Sequence, residues 1–369
     1  MNIRDYTTKE DRVWSELTGL LESCGYERFK MRKFEEYSLY LKNKNFSDGE
    51  YVLTFTDPNG KLLAFKPDVT LSIVKNSKAS ANKREKVYYR ESVYRYDKHR
   101  HEYREIDQIG LEVLGKVDEV LQSEVMLLAA RSLETVSKEF VLDFSHTGYL
   151  EGLLEWAEKA ENGRERLIGY VSAKNAHDLN KLLLECGADE KIIRAAVDAL
   201  SGVNGVDGAI RSLIASGDAH FVTAAEQLQK VVELMAATGY GDNLRADFSV
   251  ISDVEYYSGV IFRGYVRGVP HAVLSGGRYD KLAEKFGKAG IGGMGFALYL
   301  SDLCAYFRED YRKDKGLCIL LYDEQENPID VMRQAEKWRK EGYRVRQETQ
   351  VPQDCNAQRI EKTEGRKSC

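Results

Sequence analysis

The chain of 369 residues carries 43% hydrophobic and 31% charged residues and a formal net charge of −5. Those proportions exclude disorder, collagen and low complexity as its main character, and the mild acidity disfavours a strongly basic polyanion binder. At about 100–200 residues per domain, the length points to two or three units.

A first helix is predicted from the helical spacing of Val13, Leu17, Leu20, Leu21 and Cys24, with Thr7 or Thr8 as cap and Gly25 as stop. YVLTFTD and KLLAFKPD flank Pro58-Asn59-Gly60, the pattern of a hairpin. VTLSIVKN then opens a helix. KVYYRESVYRY and YREIDQIGLEVLG read as two strands joined by the charged DKHRHE, DEVLQSEVMLLAARSLETV as an amphipathic helix, and FVLDFSH as a strand. Residues 1–147 thus suggest an antiparallel sheet with helices packed on it.

Residues 148–240 hold five helical patterns and almost no strand signal, as expected of an insertion. Strand signals return in DFSVISD, YYSGVIFRGYVRG and PHAVLSGG. GIGGMGFALYLSDLCAYF reads as a glycine-rich turn opening a helix. From Lys315, the segments GLCILLYD, VMRQAEKWRKEG and YRVRQE form one βαβ unit, and the stretch from Asp354 to Cys369 has no clear period.

No run of about 18 apolar residues occurs, so no membrane-spanning helix is expected. The polar start MNIRDYTTKEDR has no apolar signal core, which points to the cytoplasm. Cys24, Cys186, Cys304, Cys318, Cys355 and Cys369 form no C-x-x-C pair and read as free thiols in a reducing compartment. His99 and His101 lack partners at zinc spacing, so no metal is expected.

The strand Tyr103–Val113 carries the most informative pattern. Period two puts Arg104, Ile106, Gln108, Gly110 and Glu112 on one face. A polar solvated face gives the same alternation. A mid-strand glycine, however, marks close approach of a ligand or another backbone, and Glu, Gln and Arg together suit a zwitterion. SGGRYDKL at 275–282, with Arg278, reads as two glycines after an apolar strand whose backbone amides approach a ligand, or as a tight turn before a helix. GIGGMGF at 290–296 reads as a weak phosphate cradle without the Lys-Ser/Thr of a P-loop.

In order, FKPDVT at 65–70, VYRYDKHRHEYREIDQIGLEVLG at 93–115, EYYSGVIF at 255–262, SGGRYD at 275–280 and GMGFALYLSDL at 293–303 resemble the class II histidyl-tRNA synthetase core across residues 1–307. The resemblance implies an α+β fold, an antiparallel sheet flanked by helices over residues 1–310. The helical insertion (148–240) lies inside it, and a partial α/β appendage (315–369) resembles the start of an anticodon-binding domain. It places Asp68, Thr70, Gln108 and Glu112 around a histidine amino group and Tyr256 and Tyr257 beside its imidazole. Arg95 would face an α-phosphate, with Arg104 and Arg278 as further anion contacts.

Departures from the family pattern accompany it. The motif 3 arginine is replaced by Asp302 and the arginine of Arg-Gly-Leu-Asp-Tyr-Tyr by Ser252, and the motif 2 loop lacks its basic run. Adenylate formation depends on positive charge around phosphates, so the resemblance implies a branch without catalysis, catalytic residues, cofactor or metal. That pattern resembles the regulatory subunits of ATP phosphoribosyltransferase, a family of histidine biosynthesis. Its members partner a short-form catalytic subunit, form a homodimer within a hetero-oligomer, take histidine as feedback effector and do not charge tRNA. A divergent histidyl-tRNA synthetase and a stand-alone histidine-binding paralogue remain as alternatives.

Overall fold

The structure, a computed structural model, describes residues 9–41, 51–80, 82–97, 100–250, 256–288, 290–303, 316–323, 325–352 and 357–362. Two compact units divide the chain: Val13–Tyr306, and Met1–Arg12 together with Phe307–Cys369.

The helix α1 (Lys9–Ser23) buries Val13, Leu17 and Leu21, one stripe at four-residue spacing. A short β1 (Glu27–Arg28) follows. Then β2 (Phe34–Glu36), α2 (Tyr37–Leu41), β3 (Thr54–Thr56) and β4 (Leu62–Phe65) build a small antiparallel sheet ordered β2-β4-β3. The expected hairpin is there. Asp57 closes its turn by accepting the N–H of Gly60 on its carbonyl, at 3.0 Å, and those of Asn59 and Lys61 on its carboxylate.

After α3 (Thr70–Asn76), the long strands β5 (Glu85–Asp97) and β6 (Glu102–Gly115) pair antiparallel along their length. The helix α4 (Glu119–Val136) is capped by Asp118, whose carboxylate accepts the N–H of Leu121 at 3.1 Å. β7 (Phe140–His146) leads into the helices α5 (Thr147–Ala157), α6 (Gly163–Ser172), α7 (Ala176–Glu185), α8 (Glu190–Ser201), α9 (Gly205–Ser216) and α10 (Ala219–Ala237). Sequence patterning missed α6, which buries only Gly163, Leu167 and Val171 and so shows little apolar period.

The chain returns through β8 (Leu244–Ala246), β9 (Val260–Val266), β10 (Leu274–Arg278), α11 (Asp280–Lys285) and β11 (Gly292–Tyr299). The main sheet is ordered β1-β5-β6-β11-β10-β9-β7-β8, antiparallel except at its two edge pairs.

Three expectations are corrected in this region. DFSVISD is not a strand where it is described, because Asp247 folds back to accept the N–H and hydroxyl of Ser249 and the strand lies just before it. Gly276 and Gly277 lie inside β10, not in a turn after the apolar strand. GIGGMGF supplies the strand β11 instead of a turn, and helical residues begin only at Leu300, after that strand, so no helix N-terminus adjoins the glycines for a phosphate. Glycine dipeptides suggest turns, but here they let side chains lie flat on the sheet.

In the second unit, β12 (Leu317–Leu321), α12 (Pro328–Lys340), β13 (Arg344–Glu348) and β14 (Arg359–Lys362) form a parallel sheet ordered β13-β12-β14. Asn327 caps α12, and Cys318, Leu320, Val331, Ala335 and Trp338 make its core. The last strand was invisible in the sequence because its side chains are mostly exposed. It is fastened by Arg359, whose guanidinium lies 4.6 Å from the centre of the Trp338 ring.

Among the described residues, no helix is long and apolar enough to cross a membrane, and no group of three metal-ligating side chains stands together. Cys24, Cys186 and Cys318 are free thiols.

Candidate ligand pocket

The two faces of the main sheet have different fates. One is closed by α4, which packs on β7, β9 and β11. The other is covered over β5 and β6 by a cluster that includes Met31, Leu39, Tyr40, Val69, Leu71 and Ile73. Beyond that cover, strand register sets out the floor of a cleft. Gly110 of β6 stands beside Ala297, which stands beside Ser275. In the next row, Glu112 stands beside Gly295, which stands beside Gly277. The small residues of this floor make room for the side chains that lie over it.

Two of the glycines are dictated by close approach. A Cβ on Gly295 would stand 2.0 Å from Glu112 Oε2 and 2.3 Å from the carbonyl oxygen of Leu111. One on Gly110 would stand 2.3 Å from the Tyr89 hydroxyl and 2.5 Å from the carbonyl oxygen of Phe296. The mid-strand glycine singled out in the sequence therefore makes room for a tyrosine lying across the sheet.

Glu112 is the centre of the polar cluster and only 3% exposed. Thr70 Oγ1 donates to its Oε1 at 2.7 Å, and the Tyr279 hydroxyl donates to its Oε2. Burial pushes its pKa up to about 8, against the pull of those two donors, and the nearby Asp68 adds to the rise. Asp68 accepts the N–H of Leu71 at 2.8 Å, and burial raises its pKa too, against the attraction of Arg95. Two buried carboxylates held in one cluster favour a bound cation.

Gln108, 2% exposed, carries a buried Oε1 with no hydrogen-bond partner. An orphan buried acceptor costs free energy of about 1–3 kcal/mol, which a donor on a ligand would recover. Tyr256 and Tyr257 pack edge to face with ring centres 4.7 Å apart, and Tyr256 lies 5.7 Å from Tyr279. Tyr257 sits where the fields of Tyr299, Glu112, Asp68 and Arg263 meet. Burial raises the pKa of Tyr89, Tyr256, Tyr257 and Tyr279. All four phenols therefore remain protonated donors at neutral pH.

The structure thus gathers Asp68, Thr70, Glu112, Tyr256 and Tyr257, with Gln108 on the same strand face. The sequence reading missed Tyr279, Tyr89 and Tyr299. Tyr279 was legible inside SGGRYD, although nothing in its spacing announced a bond to Glu112. Lys66 is absorbed structurally: its buried ammonium pairs with Glu91, which also accepts the N–H of Met31 at 2.9 Å.

The arginines lie toward the other end of β5 and β6 or are otherwise engaged. Arg95 donates to the carbonyl of Pro67 at 2.9 Å and stands 4.0 Å from Asp68. Arg104, its partner across the strands, stands 3.8 Å from Asp97 and 3.5 Å from Asp302. His271 lies 3.6 Å from the other oxygen of Asp302. Arg278 pairs with Asp280 at 2.8 Å. Ser252, His99, Cys304, Cys355 and Cys369 lie outside the described residues.

Comparison with known proteins agrees with this geometry. The family model described as histidyl-tRNA synthetase matches residues 4–303. A protein of Clostridium kluyveri named ATP phosphoribosyltransferase regulatory subunit is 28% identical over 76% of this chain and 73% of its own length. A solved Bacillus halodurans structure, described as an ATP phosphoribosyltransferase regulatory subunit/histidyl-tRNA synthetase, superposes with a TM-score of 0.75. It is 21% identical and covers 96% of this chain and 93% of that one. A chain in the ATP phosphoribosyl transferase complex of Thermotoga maritima has a TM-score of 0.61 at 20% identity, over 79% and 97% of the two chains.

Proposed function

Because this chain belongs to the histidyl-tRNA synthetase family, we propose that it is a regulatory subunit of ATP phosphoribosyltransferase that binds histidine in the cleft and does not form an adenylate. The relatives bearing that name motivate the reading. The observation that carries it is the contrast between the two ends of the cleft. The end at Glu112 is built for an ammonium group, with buried carboxylates, Thr70, Tyr279 and the unpaired Gln108 oxygen. At the other end, carboxylates stand against the cations: Asp302 takes up Arg104 and His271, and Asp97 flanks Arg104 again. A triphosphate approaching there meets acids where its transition state needs positive charge.

Regulation requires that histidine bind two states of an assembly with different affinity. The assembly in this reading is a homodimer of this chain within a hetero-oligomer with the short catalytic subunit, in the cytoplasm. Residues 315–369 form an α/β appendage to the core in this reading. Histidine-dependent exchange of pyrophosphate into ATP tests the reading. No exchange is expected, together with co-purification of a short-form catalytic subunit. Clear exchange turnover would support a divergent synthetase, and neither turnover nor a complex would leave a stand-alone histidine-binding protein.

A further inference from the structure

Glu91 and Gln108 are direct partners across the strands β5 and β6. Register partners point to the same face with Cβ atoms about 5 Å apart, so these two long side chains lie within reach of each other. Yet Gln108 Oε1, on a side chain 2% exposed, has no hydrogen-bond partner. Glu91 is engaged elsewhere. Its Oε1 accepts the N–H of Met31 at 2.9 Å, and its Oε2 takes the ammonium of Lys66. Lys66 is 2% exposed and Glu91 13%, so water offers neither charge a ready alternative.

Without Lys66, Glu91 would turn to its neighbour. As an anion it accepts one of the Gln108 amide N–H groups. As a neutral acid, the form that burial imposes on a carboxyl stripped of its cation, it donates its O–H to the free Gln108 oxygen. Either bond takes up the amide that the ligand needs. Lys66 lies two residues before Asp68 and four before Thr70, on the segment that runs into α3. The stretch that brings two polar residues to the cleft thus also brings the cation that restrains Glu91.

We infer that Lys66 is a positioning residue of the pocket: by holding Glu91 it keeps the Gln108 amide unpaired and open to the ligand's ammonium group. This rests on the reading of the cleft as a histidine pocket. Lys66 touches no ligand in this scheme and acts through Glu91 alone.

Calorimetric titration of the full chain with L-histidine, read as a double-mutant cycle, tests the inference. Gln108→Ala alone should weaken binding about tenfold or more. Lys66→Met should weaken it to a similar extent, and adding Gln108→Ala to it should cost less than about twofold further, because the amide is already taken. Lys66→Met combined with Glu91→Leu removes the competitor and should bind within about threefold of wild type, with the cost of Gln108→Ala restored. A purely structural pair gives independent, additive costs at Lys66 and Gln108, or a Lys66→Met protein that binds as wild type does. Either result overturns the inference and leaves the pocket standing, as does a folded Lys66→Met, Glu91→Leu protein that stays as weak as Lys66→Met. If Lys66→Met does not fold, the exchanged pair Lys66→Glu with Glu91→Lys decides, since it leaves no charge unpaired. The ammonium then stands beside Gln108 and takes its oxygen, so histidine should bind about tenfold more weakly, and wild-type affinity overturns the inference. Wild-type protein that binds no histidine overturns the pocket reading and this inference with it.

Discussion

Gly295 and Glu112 are register partners on neighbouring strands, and the Cβ that glycine lacks would lie 2.0 Å from Glu112 Oε2. The carboxylate that organises the cleft rests on the bare backbone of β11, held down by Thr70 from α3 and by Tyr279 from the end of β10. Gly295→Ala should therefore destabilise the fold by about 1–3 kcal/mol and abolish ligand binding. Denaturant unfolding and calorimetry read the two effects, and a variant that binds histidine normally would contradict this placement of Glu112.

The proton on Glu112 gives the second expectation. Its folded pKa, about 8, lies above the ordinary carboxyl value. The folded state thus holds a proton that the unfolded state releases near pH 4.5. The resulting stability is fully present below about pH 4.5 and is lost as pH rises to about 8, on the order of a few kcal/mol at most. Glu112→Gln should flatten that slope in denaturant unfolding across pH 5–8. An ammonium ligand favours the ionised carboxylate, so binding near pH 7 should release a proton. Titrations in two buffers of different ionisation enthalpy measure that release, and heats independent of buffer would contradict it.

His146 should produce the opposite slope. Its Nδ1 accepts the N–H of Gly148 at 3.0 Å and its Nε2 meets Gln227 at 3.1 Å, and burial lowers its pKa to about 4. The fold keeps the ring neutral while the unfolded chain protonates near pH 6.5. Stability is therefore complete above about pH 6.5 and falls as pH drops toward 4. His146→Gln should be less stable at neutral pH but lose less between pH 6.5 and 4. An unchanged acid slope would show that the histidine does not control it.

Asp302 should act on ligands more than on the fold. It is partly exposed and sits 3.5 Å from Arg104, and such pairs contribute about 0–1 kcal/mol. Asp302→Asn should therefore unfold within ~1 kcal/mol of wild type. Its affinity for ATP should rise several-fold, because Arg104 and His271 lose an internal counter-ion. Equal ATP affinity in both proteins would remove Asp302 from the explanation of the cleft's asymmetry.

Much of this organisation was legible before any coordinates. The long strands β5 and β6, the helix α4 and the strand β7 follow directly from apolar period and turn chemistry, and the Gln108-Gly110-Glu112 face was visible as an alternation. What failed was the glycine-rich run 290–296. Its backbone freedom suggests a turn, and only the register of β11 against β6 reveals that the missing Cβ atoms accommodate Glu112 and Tyr279. Long-range bonds such as Tyr279 to Glu112, 167 residues apart, leave no local trace.

The central claim is tested most directly by the rate at which a short-form ATP phosphoribosyltransferase catalytic subunit makes phosphoribosyl-ATP, alone and with this chain added, without and with histidine. The account predicts a higher rate on addition of the chain and suppression of that rate by histidine. A rate indifferent to the chain at saturating concentration would contradict it.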